Sequence, residues 1–406
     1  MIITIVCDVL GPENNGTTIA AMNLIRSMKS RGHEVRVVCA DEDKRGLPGY
    51  YIVPTLSLGP INGYVARNGV SLAKADKHIL AEAIRGADVV HAMLPYSLGA
   101  GAAKTAKKLG VPLTAGCHAL AENFTTHLFM MGCGLANLIT YKLFYRRLYK
   151  HCLCVHYPSS MICDIFENAT KPLAHRIISN GVGRSFRPIT AARPDMFTGQ
   201  FVILFTGRFS KEKSHKVLID GVSRSKYRNG IRLVFAGAGP LEHKLKVYAA
   251  TRVPVPPVFG FFKREELLRV IANADLYVHP ARFEAEGIAC LEAMACGKVI
   301  LSSDSPKSAT RSFALSPHNL FRFNDPDSLA QKIDYWIEHM QEKEKWAHAY
   351  AQYARRFDFE KCMDEMEEMF YDAARTKGDL LREDDGRFCG DEYQNAEGGR
   401  QVSVRP

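Results

Sequence analysis

Apolar positions along this chain follow two rhythms that take turns. Short apolar runs at residues 2–7, 35–39, 88–91, 112–117, 152–156 and 176–179 predict buried strands of a parallel sheet. Between them, apolar residues recur at helical spacing. Ile19, Met22, Leu24, Ile25 and Met28 predict a helix over 17–30, and further helices are expected near 77–86, 99–109, 134–150 and from Ser159. The rhythm then repeats. Strands are predicted at 201–206, 232–236, 276–279 and 299–301, with a short apolar stretch at 258–261 and helices after 213, after 240, and at 264–273 and 288–296. A short strand near 319–323 and helices near 326–339, 343–355 and 359–375 follow. Only residues 44–75, with Pro54, Pro60 and several glycines, break the order.

Strand–loop–helix order, met twice, predicts an α/β protein built from two doubly wound Rossmann-like domains. The expected division is 1–184 and 185–375, with a linker at Asn180–Gly183 and Pro188–Pro194. The last helices can cross back to the first domain. Residues 376–406 are polar and Gly-rich without helical period, and predict a disordered tail.

The richest stretch is Ala281–Ile300, ARFEAEGIACLEAMACGKVI, in which Glu284 and Glu292 are separated by seven residues. It reads as a loop, a helix of strong helix formers, a break at Gly297 and a buried strand. Gly287, Ile288 and Ala289 would then expose backbone N–H groups at the helix start, where an anion binds. A carboxylate accepts paired hydroxyls such as those of a sugar or ribose. The plain alternative is a βα loop with two solvated glutamates. A second loop, Gly207-Arg-Phe-Ser-Lys-Glu-Lys213, follows a strand end; Arg208 can fork onto a phosphate and Lys213 adds a mobile cation. Asn15-Gly16-Thr17 opens the first helix, where Gly16 either admits a ligand to the backbone or merely turns the chain. His118 sits just past a strand, on the side where α/β sheets bind ligands, and is either functional or structural. Gly237-x-Gly239 is a weak glycine fingerprint, since a third glycine is missing.

Composition narrows the class. The chain has 406 residues, 47% hydrophobic and 24% charged, as ordinary globular proteins do. Its 11 cysteines show no four-ligand zinc spacing, and a reducing cytosol is expected. The apolar N-terminus lacks a basic region and reads as a strand, and no run approaches the length of a membrane span. The net charge is +10, of which residues 1–184 carry +8. Nucleic acid, an anionic membrane and phosphorylated ligands are all compatible with that field. Residues 134–150, GLANLITYKLFYRRLYK, put Leu135, Leu138, Ile139, Leu143 and the tyrosines on one helix side and Lys142, Arg146, Arg147 and Lys150 on another. That is either a core-packed helix with a solvated basic face or a membrane-surface helix. Asp41-Glu-Asp43 has a metal-binding D-x-D form but follows a Rossmann-like strand, and reads as a solvated turn.

In this order and spacing, Asn15-Gly16-Thr17, Asp88–His91, His118, Pro158-Ser159, Ser179–Val182, Gly207-Arg208 with Glu212-Lys213, Ala236–Pro240, Phe259-Gly260, Ala274-Asp275 and Glu284-x7-Glu292 with Glu292–Gly297 resemble the family-four retaining glycosyltransferases of the GT-B fold, over roughly residues 1–375. The resemblance implies a nucleotide-sugar donor, UDP-linked, held mostly by the second domain. It places the diphosphate on Arg208 and Lys213 beside Gly207, the ribose on Glu292, and the sugar hydroxyls on Glu284 and the backbone near Gly287 and Ile288. It brings Gly16 to the diphosphate from the other domain and His118 beside the transferring carbon. Neither a cofactor nor a metal is implied. The usual Glu-Gly-Phe-Gly loop is here Glu284-Ala-Glu-Gly287, and the added Glu286 leaves the sugar's identity open. With Ser302–Leu315, EAEGIACLEA looks most like bacterial diacylglycerol-glucoside glycosyltransferases, which implies a lipid or glycolipid acceptor and a cytoplasmic, peripheral place at the inner membrane face. A soluble or lipid-linked glycan is the alternative acceptor. A nucleic-acid-binding protein is the remote one, disfavoured by cations placed beside two glutamates. Oligomeric state is open.

Overall fold

The structure, a computed structural model, describes residues 1–8, 10–11, 16–57, 72–126 and 133–377. Asn15 and, from residue 378 on, the expected tail lie outside the described residues.

The first sheet has seven parallel strands in the order β3-β2-β1-β4-β5-β6-β7. They are β1 (Ile2–Val6), β2 (Glu34–Cys39), β3 (Tyr50–Ile52), β4 (Val89–Ala92), β5 (Leu113–Gly116), β6 (Cys154–Tyr157) and β7 (His175–Ile177). The helices between them are α1 (Gly16–Ser30), α2 (Lys77–Ile84), α3 (Ser97–Lys108), α4 (Ala121–Thr126), α5 (Gly134–Arg147) and α6 (Ser160–Ala169). The second sheet runs β10-β9-β8-β11-β12-β13, from β8 (Phe201–Thr206), β9 (Ile231–Ala236), β10 (Val258–Gly260), β11 (Leu276–His279), β12 (Ile300–Ser303) and β13 (Leu320–Phe321). Its helices are α7 (His215–Arg224), α8 (Glu242–Ala250), α9 (Arg264–Asn273), α10 (Ile288–Ala295), α11 (Pro326–Glu338) and α12 (Met340–Ala354), and α13 (Phe359–Arg375) closes the described chain. This is the two-domain α/β arrangement of the GT-B fold.

Local chemistry explains the starts. Asp76, Ser159, Asp325 and Asp358 cap α2, α6, α11 and α13 by accepting from first-turn N–H groups, and Pro326 sits at the first position of α11, where its missing N–H costs nothing. Two elements were not read from the sequence. Tyr50–Ile52 forms β3 inside the irregular stretch, and α4 is a six-residue helix just after His118.

In each sheet the strand order reverses once, between β1 and β4 and between β8 and β11. Ligands of such sheets bind in the crevice at the strands' carboxyl ends at that point. The loop carrying Arg208 and Lys213 leaves β8 and the loop carrying Glu284 leaves β11, so both flank the second crevice. Gly16 follows β1 at the first.

The two lobes are sewn together at the end of the chain. Val182 pairs with Asp358, its N–H donating to Phe357 O at 2.7 Å. After that, α13 packs on the first sheet. Cys362, Met363, Met366, Met369, Phe370 and Ala373 share a core with Ile3, Ile5, Leu24, Ile25 and Met28. Arg31 binds Asp364 at 2.6 Å and Glu367 at 2.8 Å on that helix.

Candidate functional site

Gly207 ends β8 with φ +142°, and the loop beyond it folds against its neighbours. A Cβ on Gly237 would overlap the Gly207 carbonyl, and one on Gly239 would lie 2.6 Å from Phe209 N. These two glycines therefore serve close packing of the β9 loop on the β8 loop; nothing in their surroundings marks a dinucleotide fingerprint. Arg282 N–H donates to Glu212 O at 2.7 Å, tying the cationic loop to the carboxylate loop.

That tie brings Lys213 onto Glu284. The ammonium pairs with Oε2, which also accepts from His279 Nε2 at 2.9 Å. The Lys213 and Glu284 side chains are each 16% exposed. Burial pushes the Glu284 carboxyl up, but Lys213 and His279 outweigh it and hold it at about 2. Burial keeps His279 below its ordinary value, and its ring stacks on Phe205. Arg208 is half-buried, and its guanidinium has no hydrogen-bond or ion-pair partner among the described residues. Burial lowers its pKa, against Glu212.

Gly287 caps α10 with φ +95°, a conformation that favours glycine, and a Cβ there would overlap Thr310. Thr310 is itself fixed by Ser302 at 2.6 Å and Ser308 at 2.9 Å. The first N–H groups of the helix to find acceptors are those of Cys290 and Leu291, both on Gly287 O. Those of Ile288 and Ala289 find none among the described residues, which leaves donors and the positive end of the helix for an anion. Glu292 lies one turn in, half-buried; burial raises its carboxyl to about 7, opposed by Arg264. Both Glu284 and Glu292 act on the buried Tyr277 hydroxyl. The reading of two solvated glutamates is corrected: Lys213 and His279 hold Glu284 charged against its burial, while burial raises Glu292.

Glu286 is 4% exposed and turns the other way, toward the linker. It accepts from Ser179 Oγ, from Asn180 Nδ2, and from Asn180 N–H at 2.9 Å. Burial raises it to about 7 despite those donors. Ser159 Oγ adds a second tie, donating to Ala285 O at 2.6 Å. The added glutamate therefore clamps the carboxylate loop to the crossover between lobes.

A third tie starts on α5. Its buried face is Asn137, Thr140, Tyr141 and Phe144, because the buried Glu122 of α4 needs donors: Tyr141 OH reaches it at 2.8 Å and Asn137 Nδ2 at 3.4 Å. Glu122 pairs across the cleft with Lys307, whose carbonyl accepts from Glu284 N–H at 3.0 Å. Leu135, Leu138, Ile139 and Leu143 are thus displaced outward, with Leu135 68% and Ile139 57% exposed. Lys142, Arg146, Arg147 and Lys150 are exposed as well. Of the two readings of this helix, the core-packed one with a separate basic face is corrected: apolar and basic residues share the outer surface.

His118 is 7% exposed, packed on Gly116 and edge-on to His156 at 5.2 Å. Burial, with His156 and His91, lowers it well below its ordinary value, and among the described residues its Nε2 has no hydrogen-bond partner. It is a neutral imidazole with a free nitrogen, four residues before Glu122. Gly16 is exposed with open space around it, so neither φ nor packing demands glycine there, and no contact joins it to Arg208, Lys213 or Glu284. In the D-x-D stretch only Glu42 and Asp43 are solvated; Asp41 accepts from Leu10 N–H at 2.7 Å and Gly11 N–H at 3.1 Å, holding the β1 loop.

Sequence reasoning missed His279, Glu122 and Lys307. His279 carried the signal used for His118, a strand-end position; Glu122 and Lys307 carried none.

Residues 187–357 match the glycosyl transferases group 1 family and residues 14–185 match Glycosyltransferase Family 4. A GDP-mannose-dependent alpha-mannosyltransferase of Corynebacterium glutamicum is 28% identical over 311 residues, 73% of this chain and 71% of that protein. The catalytic domain of a cholesterol-alpha-glucosyltransferase from Helicobacter pylori is 43% identical, covering 39% of this chain and 98% of that one, with a TM-score of 0.38. Anabaena HepE in complex with UDP-glucose superposes with a TM-score of 0.71 at 18% identity, over 92% of this chain and 100% of that one.

Proposed function

This chain belongs to the GT-B glycosyltransferases, and from that premise we propose that it moves a hexose from a UDP-sugar, with retention at the anomeric carbon, to a lipid or glycolipid at an anionic membrane surface. The observation that carries the reading is the pairing of Lys213 with Glu284 at the crevice between β8 and β11, beside the open N-terminus of α10.

In this reading the diphosphate lies against Arg208, Lys213 and the N–H groups of Ile288 and Ala289, with Gly207 and Gly16 allowing close backbone approach. Glu284 accepts from the sugar hydroxyls, and its low pKa keeps it an acceptor at all physiological pH. Glu292 takes the ribose. The bond from the anomeric carbon to the phosphate oxygen breaks as the acceptor oxygen attacks from the same face, and the acceptor's proton passes to the leaving phosphate. The protein's part is to stabilise the charge of that leaving group. Neutral His118 donates a hydrogen bond to the sugar and carries no proton through the step.

The outer surface of α5 supports the acceptor side. A helix showing apolar side chains and three cations to solvent fits a headgroup layer, where cations meet phosphates and leucines enter the acyl boundary. Among the described residues no helix is long and apolar enough to cross a membrane, so the contact proposed is peripheral, at the cytoplasmic face. A second reading pairs a glycan acceptor with a GDP-mannose donor, the donor being favoured by the mannosyltransferase relative.

The test is transfer from UDP-glucose, UDP-galactose and GDP-mannose to lipid extracts in anionic vesicles and to soluble glycans, with product linkage read by NMR. Transfer from GDP-mannose to a soluble glycan, without vesicle binding, would replace the first reading by the second.

A further inference from the structure

Away from the cleft, at the free edge of the first sheet, α6 and β7 bring together three side chains of different chemistry. Cys163 and Glu167 stand one turn apart on α6, and His175 begins β7 beside them. Their ligating atoms all lie within 4.8 Å of one another. Cys163 Sγ is 3.6 Å from His175 Nε2, and Glu167 Oε1 is 2.9 Å from Nδ1. His175 Nδ1 is also 3.0 Å from Leu173 O. Nδ1 faces both Glu167 and Leu173 O; once Glu167 turns onto an ion, Leu173 O alone holds Nδ1–H and Nε2 is left as a lone pair beside Cys163, the arrangement that orients metal-binding histidines.

The burial is graded. Cys163 is 5% exposed, while the Glu167 and His175 side chains are 15% and 32% exposed, so the cluster opens to solvent on one side. A second observation bears on the same spot. The Tyr157 hydroxyl is buried beside Glu167 and Cys163 and has no hydrogen-bond partner among the described residues. A buried hydroxyl without a partner is uncommon and calls for one.

The geometry points to a divalent transition-metal site of zinc's class, with Cys163, Glu167 and His175 as ligands and water in the fourth position facing solvent. One thiolate, one imidazole and one carboxylate suit that borderline-soft ion. The site joins an edge strand of only three residues to the helix that covers it. Two and three residues beyond β7 come Ser179 and Asn180, which hold Glu286, so the ion stiffens the base of the crossover. The role is structural, since the cluster lies outside the crevice between the lobes.

The experiment uses the full chain freed of metal and titrated with cobalt(II), then with zinc. Expected is a thiolate-to-cobalt charge-transfer band saturating at one equivalent, displaced by zinc. Cys163→Ser abolishes the band. His175→Gln, a partly exposed change that leaves the fold intact, weakens affinity by more than the roughly 10–100-fold that loss of an outer-shell partner costs. Zinc raises the melting temperature of the parent and leaves that of both variants unmoved. Absence of the band at stoichiometric cobalt, or its survival in His175→Gln with unchanged affinity, overturns the assignment. Should Cys163→Ser fail to fold, His175→Gln decides alone.

Discussion

Replacing Lys213 by Met tests the proposed site most sharply, because it removes one charge and keeps most of the volume. In the parent, Glu284 sits at about 2 against an ordinary 4.5, although burial alone would push it the other way. At about 1.36 kcal/mol per pH unit, that distance is about 3 kcal/mol favouring the carboxylate in the folded state. Glu284 is a depressed acid, so its contribution is present above pH 4.5 and lost as pH falls toward 2. In the variant only His279 still faces Oε2, and burial goes unopposed by the ammonium. Glu284 then takes up a proton at a much higher pH. Urea denaturation should therefore show the variant less stable by up to about 3 kcal/mol at pH 7, the gap narrowing as pH drops below 4.5. Turnover should fall about 10²–10³-fold, the loss seen when one donor to a developing oxyanion is removed, with a smaller change in donor KM. Glu284→Gln combined with Lys213→Met should cost far less than the two singles together, because each single already breaks the pair. Turnover within threefold of the parent, or stability losses that simply add, would refute the pairing of the two roles.

Gly287→Ala forces a Cβ into the left-handed region and onto Thr310; a loss of about 1–3 kcal/mol and a lower melting temperature are expected in a thermal scan. Glu286→Gln reports on the linker clamp: a buried acid raised to about 7 makes folding less favourable as pH climbs from 4.5 to 7, so the variant's urea midpoint should fall less steeply over that window than the parent's. Neutralising Lys142, Arg146 and Arg147 together should reduce co-sedimentation with anionic vesicles and transfer to lipid, while hydrolysis of the donor in solution stays unchanged. Glu122→Gln leaves the Lys307 ammonium without its carboxylate at the lobe interface, and should raise the KM for acceptor more than that for donor in steady-state assays.

Much of the fold was legible because the signals are local. Phe201–Thr206 and Leu276–His279 are apolar runs whose ends the structure reproduces to the residue. Met363, Met366, Met369 and Phe370 keep helical spacing, and all are buried. The cationic loop and the carboxylate loop could be named for the same reason, since each follows a strand. What could not be read depends on partners far away in the chain. The inward side of α5 is set by a carboxylate 15 residues before Asn137 and 19 before Tyr141, so apolar spacing alone could not show which face is buried. Glu286 takes its role from Ser179 and Asn180, 107 and 106 residues away. β3 is three residues long and sits among turns, too short for a period to show.

The path of α13 has a consequence for how the protein is born. The first lobe is translated before the second, yet Met363, Met366, Met369 and Phe370 complete its interior. Until translation has passed α13, Ile3, Ile5 and Leu24 have no cover on that side. The amino-terminal lobe therefore waits for the carboxyl-terminal one, and a fragment ending before residue 359 would emerge with an open, sticky flank.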